Sequence, residues 1–196
     1  VRNPEATKDR IIVASANLFN TKGYQATSIS DITKATGLTK GAIYRHFTNK
    51  EDLEKQALRS LSYQVFTQLR KKIKDAPNFK DKMEAVFTFF EHYLKDPVFE
   101  GGCPLLNVAI ESDDAHPALK AQAQEMLTRL RSSISTLMLN GIKNNQVQPE
   151  INVAFYATIF IATLEGGIMM SKLEANQSSL RHAITHLRQV VQYITI

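Results

Sequence analysis

TSISDITKATGLTKGAIYRHF, residues 27–47, is the stretch whose reading decides the fold. Ser28 stands ahead of Ile29, Ile32 and Ala35, apolar positions at helical spacing, and is placed to cap their helix. Asp31, at the third position, is its capping-box partner. Gly37 ends that helix and Thr39 caps the next. At about 100° per residue, Ile43 and Phe47 fall in one narrow sector that must face a core. Gly41 and Arg45 point the opposite way, flanked by Ala42 and Tyr44. Two short helices joined by a tight Gly-containing turn describe a helix-turn-helix.

The outward face carries chemistry suited to a polyanion. Small residues in its first turn let a helix approach a surface closely. A Gly inside a helix costs about 1 kcal/mol relative to Ala, so a face that keeps Gly41 asks for a reason. Arg45 is able to donate two bonds to a guanine edge or to hold a phosphate, and Tyr44 to donate to a phosphate oxygen. Thr39 and the free N–H groups at the helix start favour an anion, and Lys40, His46 and Lys50 add donors around the rim. The plainer reading is a solvated helix with scattered polar residues.

Charge is distributed in the same sense. Of a formal net charge of +5, all resides in residues 1–50, where eight Lys or Arg face three Asp or Glu; the remainder is balanced, sixteen against sixteen. A local basic face fits nucleic acid or an anionic membrane surface. The single cysteine, Cys103, excludes an intrachain disulfide, and no zinc-like Cys/His spacing is present. A reducing, intracellular compartment is expected, the opening VRNPEATKDR having no apolar signal-peptide core. The most apolar run, VAFYATIFIATL at 153–164, is too short to span a bilayer and is followed by Glu165, which predicts a buried helix.

Outward from this stretch, almost every segment between breakers has helical periodicity. Ile11, Ala14, Ser15, Leu18 and Phe19 form one stripe ahead of Gly23. Asn49 and Asp52 repeat the capping signature before a long helix carrying Leu53, Ala57, Leu61, Val65 and Leu69, and Pro77 ends that region. Next come a helix with Met83, Val86, Phe87, Phe90 and Leu94, stopping before Pro97, and a short one starting at Pro104. A longer helix, roughly 117–140, is expected to close at Gly141. Two final helices lie near 152–173 and 178–195. No β-alternation of useful length appears. The chain is predicted to be all-α, with about nine helices.

Residues 7–55, with LFNTKGY, TSISDITKATGLTKGAIYRHF and NKEDL matched without an internal gap, resemble the DNA-binding domain of the TetR (AcrR-type) family of bacterial transcriptional regulators. The resemblance implies a helix-turn-helix DNA-binding domain over 1–50 and a helical ligand-binding and dimerisation domain over 51–196. It implies a ligand-responsive regulator, most often a repressor. Such a protein binds a palindromic double-stranded operator as a homodimer, in the bacterial cytoplasm at the nucleoid, with no membrane, cofactor, metal or catalytic site. Thr39, Lys40, Gly41, Ala42, Tyr44, Arg45 and His46 match the recognition-helix positions, and Ser28 and Lys50 the flanking phosphate-contact positions.

The resemblance also implies a four-helix bundle made by the last two helices of both subunits. Phe155, Ile159, Leu164, Gly167, Leu180, Leu187 and Val191 are the expected interface; the same apolar surplus would otherwise fill a monomer core. Phe87, Phe90, Tyr93, Cys103, Met126 and Met169 are the candidate effector-binding residues, with His92, Phe99 and Met138 offering similar surface; each taken singly also suits a core. Cys103 precedes a helix N-terminus, which makes a thiol more reactive, although lone cysteines commonly act as small hydrophobes. His182 and His186 lie four apart without a third ligand, on what reads as a solvated face.

Two other classes remain on the residues alone. An all-α enzyme would need a nucleophile–base pair, a metal cluster or a phosphate loop, and none stands out. An interaction module would use the basic face for a protein or an anionic membrane, without sequence-selective DNA binding.

Overall fold

A computed structural model describes residues 3–95, 97, 99–112 and 116–196. Among these residues nine helices occur: α1 (Pro4–Lys22), α2 (Ile29–Thr36), α3 (Lys40–Ile43), α4 (Lys50–Ile73), α5 (Phe79–Tyr93), α6 (Pro104–Glu111), α7 (Pro117–Lys143), α8 (Val153–Leu173) and α9 (Ser178–Ile194). An isolated antiparallel bridge pairs Val147 with Thr195. The chain forms two compact units, residues 1–64 with 99–126, and residues 65–98 with 127–196. This partition by packing differs from the expected functional division at residues 50 and 51. Much of α4, all of α6 and the start of α7 pack with the helix-turn-helix.

In the first unit the apolar stripes meet in one core. Ile11 and Phe19 of α1, Ile32 of α2, Ile43 and Phe47 at α3, and Leu53 of α4 are all at most 2% exposed. Tyr24 stacks on Phe19 with ring centroids 5.1 Å apart. The helix starts are capped as the sequence predicts. Asp52 differs in one respect: its N–H bonds to Asn49 Oδ1, but its carboxylate accepts from the Thr48 backbone N–H and hydroxyl rather than from Asn49.

In the second unit α8 packs along α9, and α5 lies against α9. The helices approach closely at Gly167, where a Cβ would stand 2.9 Å from Ala183 Cβ and 3.1 Å from Leu180 Cα. Phe87 of α5 and Phe160 of α8 stack at 6.1 Å. Arg188 of α9 reaches Glu84 and Glu91 of α5 at 2.6 and 2.9 Å, which ties the two helices electrostatically.

Two expectations are corrected here. Gly141 does not close its helix: α7 continues to Lys143, and Gly141 is a packing site where a Cβ would lie 2.5 Å from Val147 Cγ2 and 3.2 Å from the Phe79 ring. The turn comes at Asn145, which takes a left-handed conformation at φ 54. The run at 153–164 is not a fully buried helix either. The helix reaches Leu173, as expected from the sequence, giving 21 residues whose length and composition alone would suffice to cross a bilayer, but only 28% of its most apolar window is buried. Glu165 interrupts the composition but not the helix, because Glu is a good helix former.

Candidate nucleic-acid interface and cavity

The helix-turn-helix is built from local bonds. Ser28 Oγ accepts from Asp31 N at 3.1 Å while the Asp31 carboxylate accepts from Ser28 N at 2.8 Å, which completes the capping box. The Ser28 hydroxyl also donates to Asp31 Oδ2 at 2.6 Å, and Lys22 Nζ lies 2.9 Å from the same oxygen. The Ser28 hydroxyl first, and then Lys22, hold the Asp31 carboxyl well below the usual carboxylate range. Gly37 makes the turn in the left-handed region, φ 65 and ψ 18, where a Cβ would be strained. The Arg10 guanidinium donates to the Thr36 carbonyl just before it, anchoring the turn to α1.

Thr39 caps α3 by accepting from Ala42 N at 3.2 Å. The regular helix is shorter than the wheel assumed, four residues, but the Ile43 carbonyl accepts from both His46 N and Phe47 N. The chain therefore stays coiled to Phe47 and the faces separate as expected. Ile43 and Phe47 are buried; Thr39, Lys40, Gly41, Tyr44 and Arg45 are exposed, and Ala42 and His46 are half-buried. Among the described residues no carboxylate pairs with Lys40 or Arg45. Lys40 Nζ lies 5.9 Å from the Tyr44 ring centroid. A Cβ on Gly41 would meet nothing within 4 Å. The fold itself gives no reason for glycine there.

The flanking pair is differently disposed. Ser28 is exposed, its hydroxyl already bonded to Asp31. Lys50 Nζ donates to the Tyr24 carbonyl at 2.6 Å and lies 3.1 Å from Glu54 Oε1. Two of its three donors are thus committed inside the unit. Burial raises the Glu54 carboxyl against the pull of Lys50.

Sequence reasoning missed a polar clasp in the same unit. Asn107 of α6 donates to Asn20 O, Asn20 Oδ1 and Gly101 O at 3.0–3.1 Å, and Asn20 donates to the carbonyls of Glu100 and Gly102. Glu111, at the other end of α6, accepts from the backbone N–H groups of Tyr24 (2.8 Å) and Gln25 (3.2 Å). Apart from Asn107 with Gly101, six residues away, these partners lie 80–87 residues apart, so no local pattern signals them; the Gly101–Gly102 pair, both at positive φ, was the one visible trace. Burial, and then the nearby charges of Glu111 and Glu54, push the Tyr24 phenol far above its ordinary range.

The second unit contains a cavity of about 490 Å³, lined by α4, α5, α7 and α8. Of the six predicted effector residues, Phe90 lines it. Phe87 and Tyr93 are buried among aromatic neighbours in the same unit, and Met169 is 40% exposed. Cys103 and Met126 belong to the first unit, both buried, with Cys103 at the N-cap of α6. Of the additional surface, Met138 is fully buried and His92 exposed. His182 and His186 are exposed, and no group of three metal-binding side chains occurs among the described residues.

The expected dimer residues divide sharply. Leu164, Gly167, Leu180, Leu187 and Val191 are buried within the single chain, where α8, α9 and α5 pack together. Phe155 is 54% exposed and Ile159 half-buried. The free face of α8 runs through Phe155, Thr158, Ala162, Gly166, Met169 and Leu173.

Comparison with known proteins gives a consistent result. The family described as "Bacterial regulatory proteins, tetR family" matches residues 11–57, and "Tetracyclin repressor-like, C-terminal domain" matches residues 80–187. The solved structure of a TetR transcriptional regulator from Chloroflexus aurantiacus J-10-FL is 36% identical, with a TM-score of 0.94, over 100% of this chain and 98% of that one. A TetR-family regulator from Cytophaga hutchinsonii is 31% identical at a TM-score of 0.92, with the same coverage. Among curated proteins, the HTH-type transcriptional repressor DhaR of Mycobacterium sp. (strain GP1) is 20% identical over 181 residues, 91% of this chain and 88% of that protein.

Proposed function

From the premise that this chain belongs to the TetR family of bacterial transcriptional regulators, DNA-binding proteins rather than enzymes, we propose that it is a repressor released from a palindromic operator by a small molecule. The observation that carries this reading is the outward face of α3. It is basic, unpaired and exposed, and it holds a glycine at a position where the fold would accept a side chain. Residues 1–50 are the reading head and residues 51–196 the effector and dimerisation part. Two copies, acting in the cytoplasm, set their α3 helices into successive major grooves.

Thr39, Lys40, Gly41, Ala42, Tyr44, Arg45 and His46 meet the duplex. Ser28 and the third donor of Lys50 serve as flanking phosphate contacts. The dimer forms through α8 and α9 of both copies. Phe155 and Ile159, together with Met169 and Leu173, supply apolar contact, and Ala162 and Gly166 allow close approach. Modification of Cys103 is a second route of release. It is favoured by the position of Cys103 at the start of the helix whose Asn107 and Glu111 clasp the head.

Selection of bound duplexes from a random pool tests the reading: an enriched inverted repeat is expected, with binding that weakens steeply as salt rises. Tyr44→Ala is expected to weaken binding to all duplexes alike, and Arg45→Ala to relax base preference at one position of each half-site. A pool without enrichment, or an enriched site that is not a repeat, would reject it.

A further inference from the structure

The cavity in the second unit has a chemistry of its own. Phe66 and Leu69 of α4, Val86 and Phe90 of α5, Ile134 of α7 and Ile161 of α8 form apolar walls. Its volume of about 490 Å³ lies within the span of pockets that hold drug-sized molecules. Several of these side chains stay half-exposed, so apolar surface remains to be covered. Two guanidinium groups also line the cavity, Arg70 on α4 and Arg129 on α7, both exposed at its edge.

Neither cation has a carboxylate partner among the described residues. Arg188, in the same unit, shows the contrast, since two glutamates hold it. The Arg129 guanidinium lies over the Phe66 ring, 4.7 Å from its centroid, a cation–π contact that holds the group at the cavity wall. Hydroxyls of Thr128, Ser132, Ser133 and Thr136 stand along the same helix wall. Glu165 on α8 is the lining carboxylate, so the lining carries two positive groups against one negative.

We infer that the cavity takes an amphipathic organic anion, with an aliphatic or aromatic body against the apolar walls and a carboxylate held by Arg70 and Arg129. The inference rests on the reading of this chain as an effector-controlled regulator and names the class of effector. Planar guanidinium groups match a carboxylate bidentately, and a cation beside apolar walls attracts an anion more strongly than it would in bulk water.

The probes are decanoate, below its micelle concentration, and decylammonium, the same chain with the opposite charge. Calorimetric titration of the full-length protein is expected to show saturable decanoate binding at least tenfold tighter than decylammonium. Arg129→Gln and Arg70→Gln, both at exposed positions, are each expected to weaken decanoate at least tenfold while leaving the thermal midpoint within a few degrees. Equal or tighter binding of decylammonium, or decanoate binding indifferent to both substitutions, overturns the inference. Gel shifts with the selected operator separate the two readings. Decanoate that binds through the arginines without releasing DNA removes the effector role and leaves the ligand class standing. Operator release by decylammonium but not by decanoate removes the ligand class and leaves the effector reading standing.

Discussion

The two compact units use the same helical material to different ends. In the first, polar groups are closed upon one another: Asp31 with Ser28 and Lys22, Lys50 with Tyr24 and Glu54, Asn20 with Asn107, Glu111 with the turn after α1. Among what it leaves open is the outward side of α3, besides scattered exposed side chains such as Val13, Tyr63 and Ile110. The second unit leaves open far more apolar surface, in the free face of α8 and in the cavity walls. A unit whose polar groups mostly close upon one another, the buried Ser15 and Tyr24 hydroxyls apart, suits the presentation of a fixed set of donors. A unit with unfinished apolar surface suits association and ligand uptake.

The sharpest way to break this contrast is to exchange an inner for an outer residue of the second unit. Leu187→Ala, fully buried on α9, is expected to lower the unfolding free energy by about 2–5 kcal/mol in urea denaturation. Leu173→Ala, 80% exposed, is expected to leave subunit stability nearly unchanged and to weaken self-association in sedimentation. Equal effects would erase the distinction between the inner and outer faces.

In the first unit, Glu111→Ala removes the acceptor for two backbone N–H groups. A loss of about 1–3 kcal/mol is expected, with faster hydrogen exchange at Tyr24 and Gln25. Unchanged exchange there would show that the clasp does not hold the turn. A smaller effect with the opposite sign is expected at Gly41. Gly41→Ala has open space around it and should stabilise the head by up to about 1 kcal/mol, yet weaken operator binding in gel shifts by obstructing close approach. A variant that gains stability and keeps full affinity would remove the role given to that glycine.

The smallest expected effect is electrostatic. Asp31 has its folded-state pKa depressed, so its contribution is fully present above the ordinary carboxylate range and is lost as pH falls through the folded value. Glu54 is raised by burial and acts in the other direction, favouring the fold as pH falls from its folded to its ordinary value. Asp31→Asn is therefore expected to flatten the acid limb of the urea midpoint between about pH 4 and the lowest accessible pH. An unchanged limb would assign acid unfolding to other groups.

Legibility followed the range of the interaction. The capping box at Ser28 and Asp31, the turn at Gly37, the cap at Thr39 and the start of α6 at Pro104 were all readable, because each joins residues at most four apart. The outward face of α3 was readable for the same reason, since burial of Ile43 and Phe47 leaves one direction for Arg45. Gly141 was misread because its role depends on Val147 and Phe79, one of them on a distant helix. The apolar stripe on α9 was legible, but its packing inside the single chain was not, because that depends on α5 and α8.

By itself the sequence determined where most helices start, which side of each is apolar, and that the basic charge gathers around one short helix. These depend on backbone capping and on the 3.6-residue period, interactions that a local window contains. Tertiary structure alone decided which apolar stripe is used within the subunit and which stays open, that Lys50 is partly committed inside, and that Asn20 and Asn107 meet. Those outcomes join side chains tens of residues apart, and the competition among possible partners is settled only when every helix has claimed its neighbours.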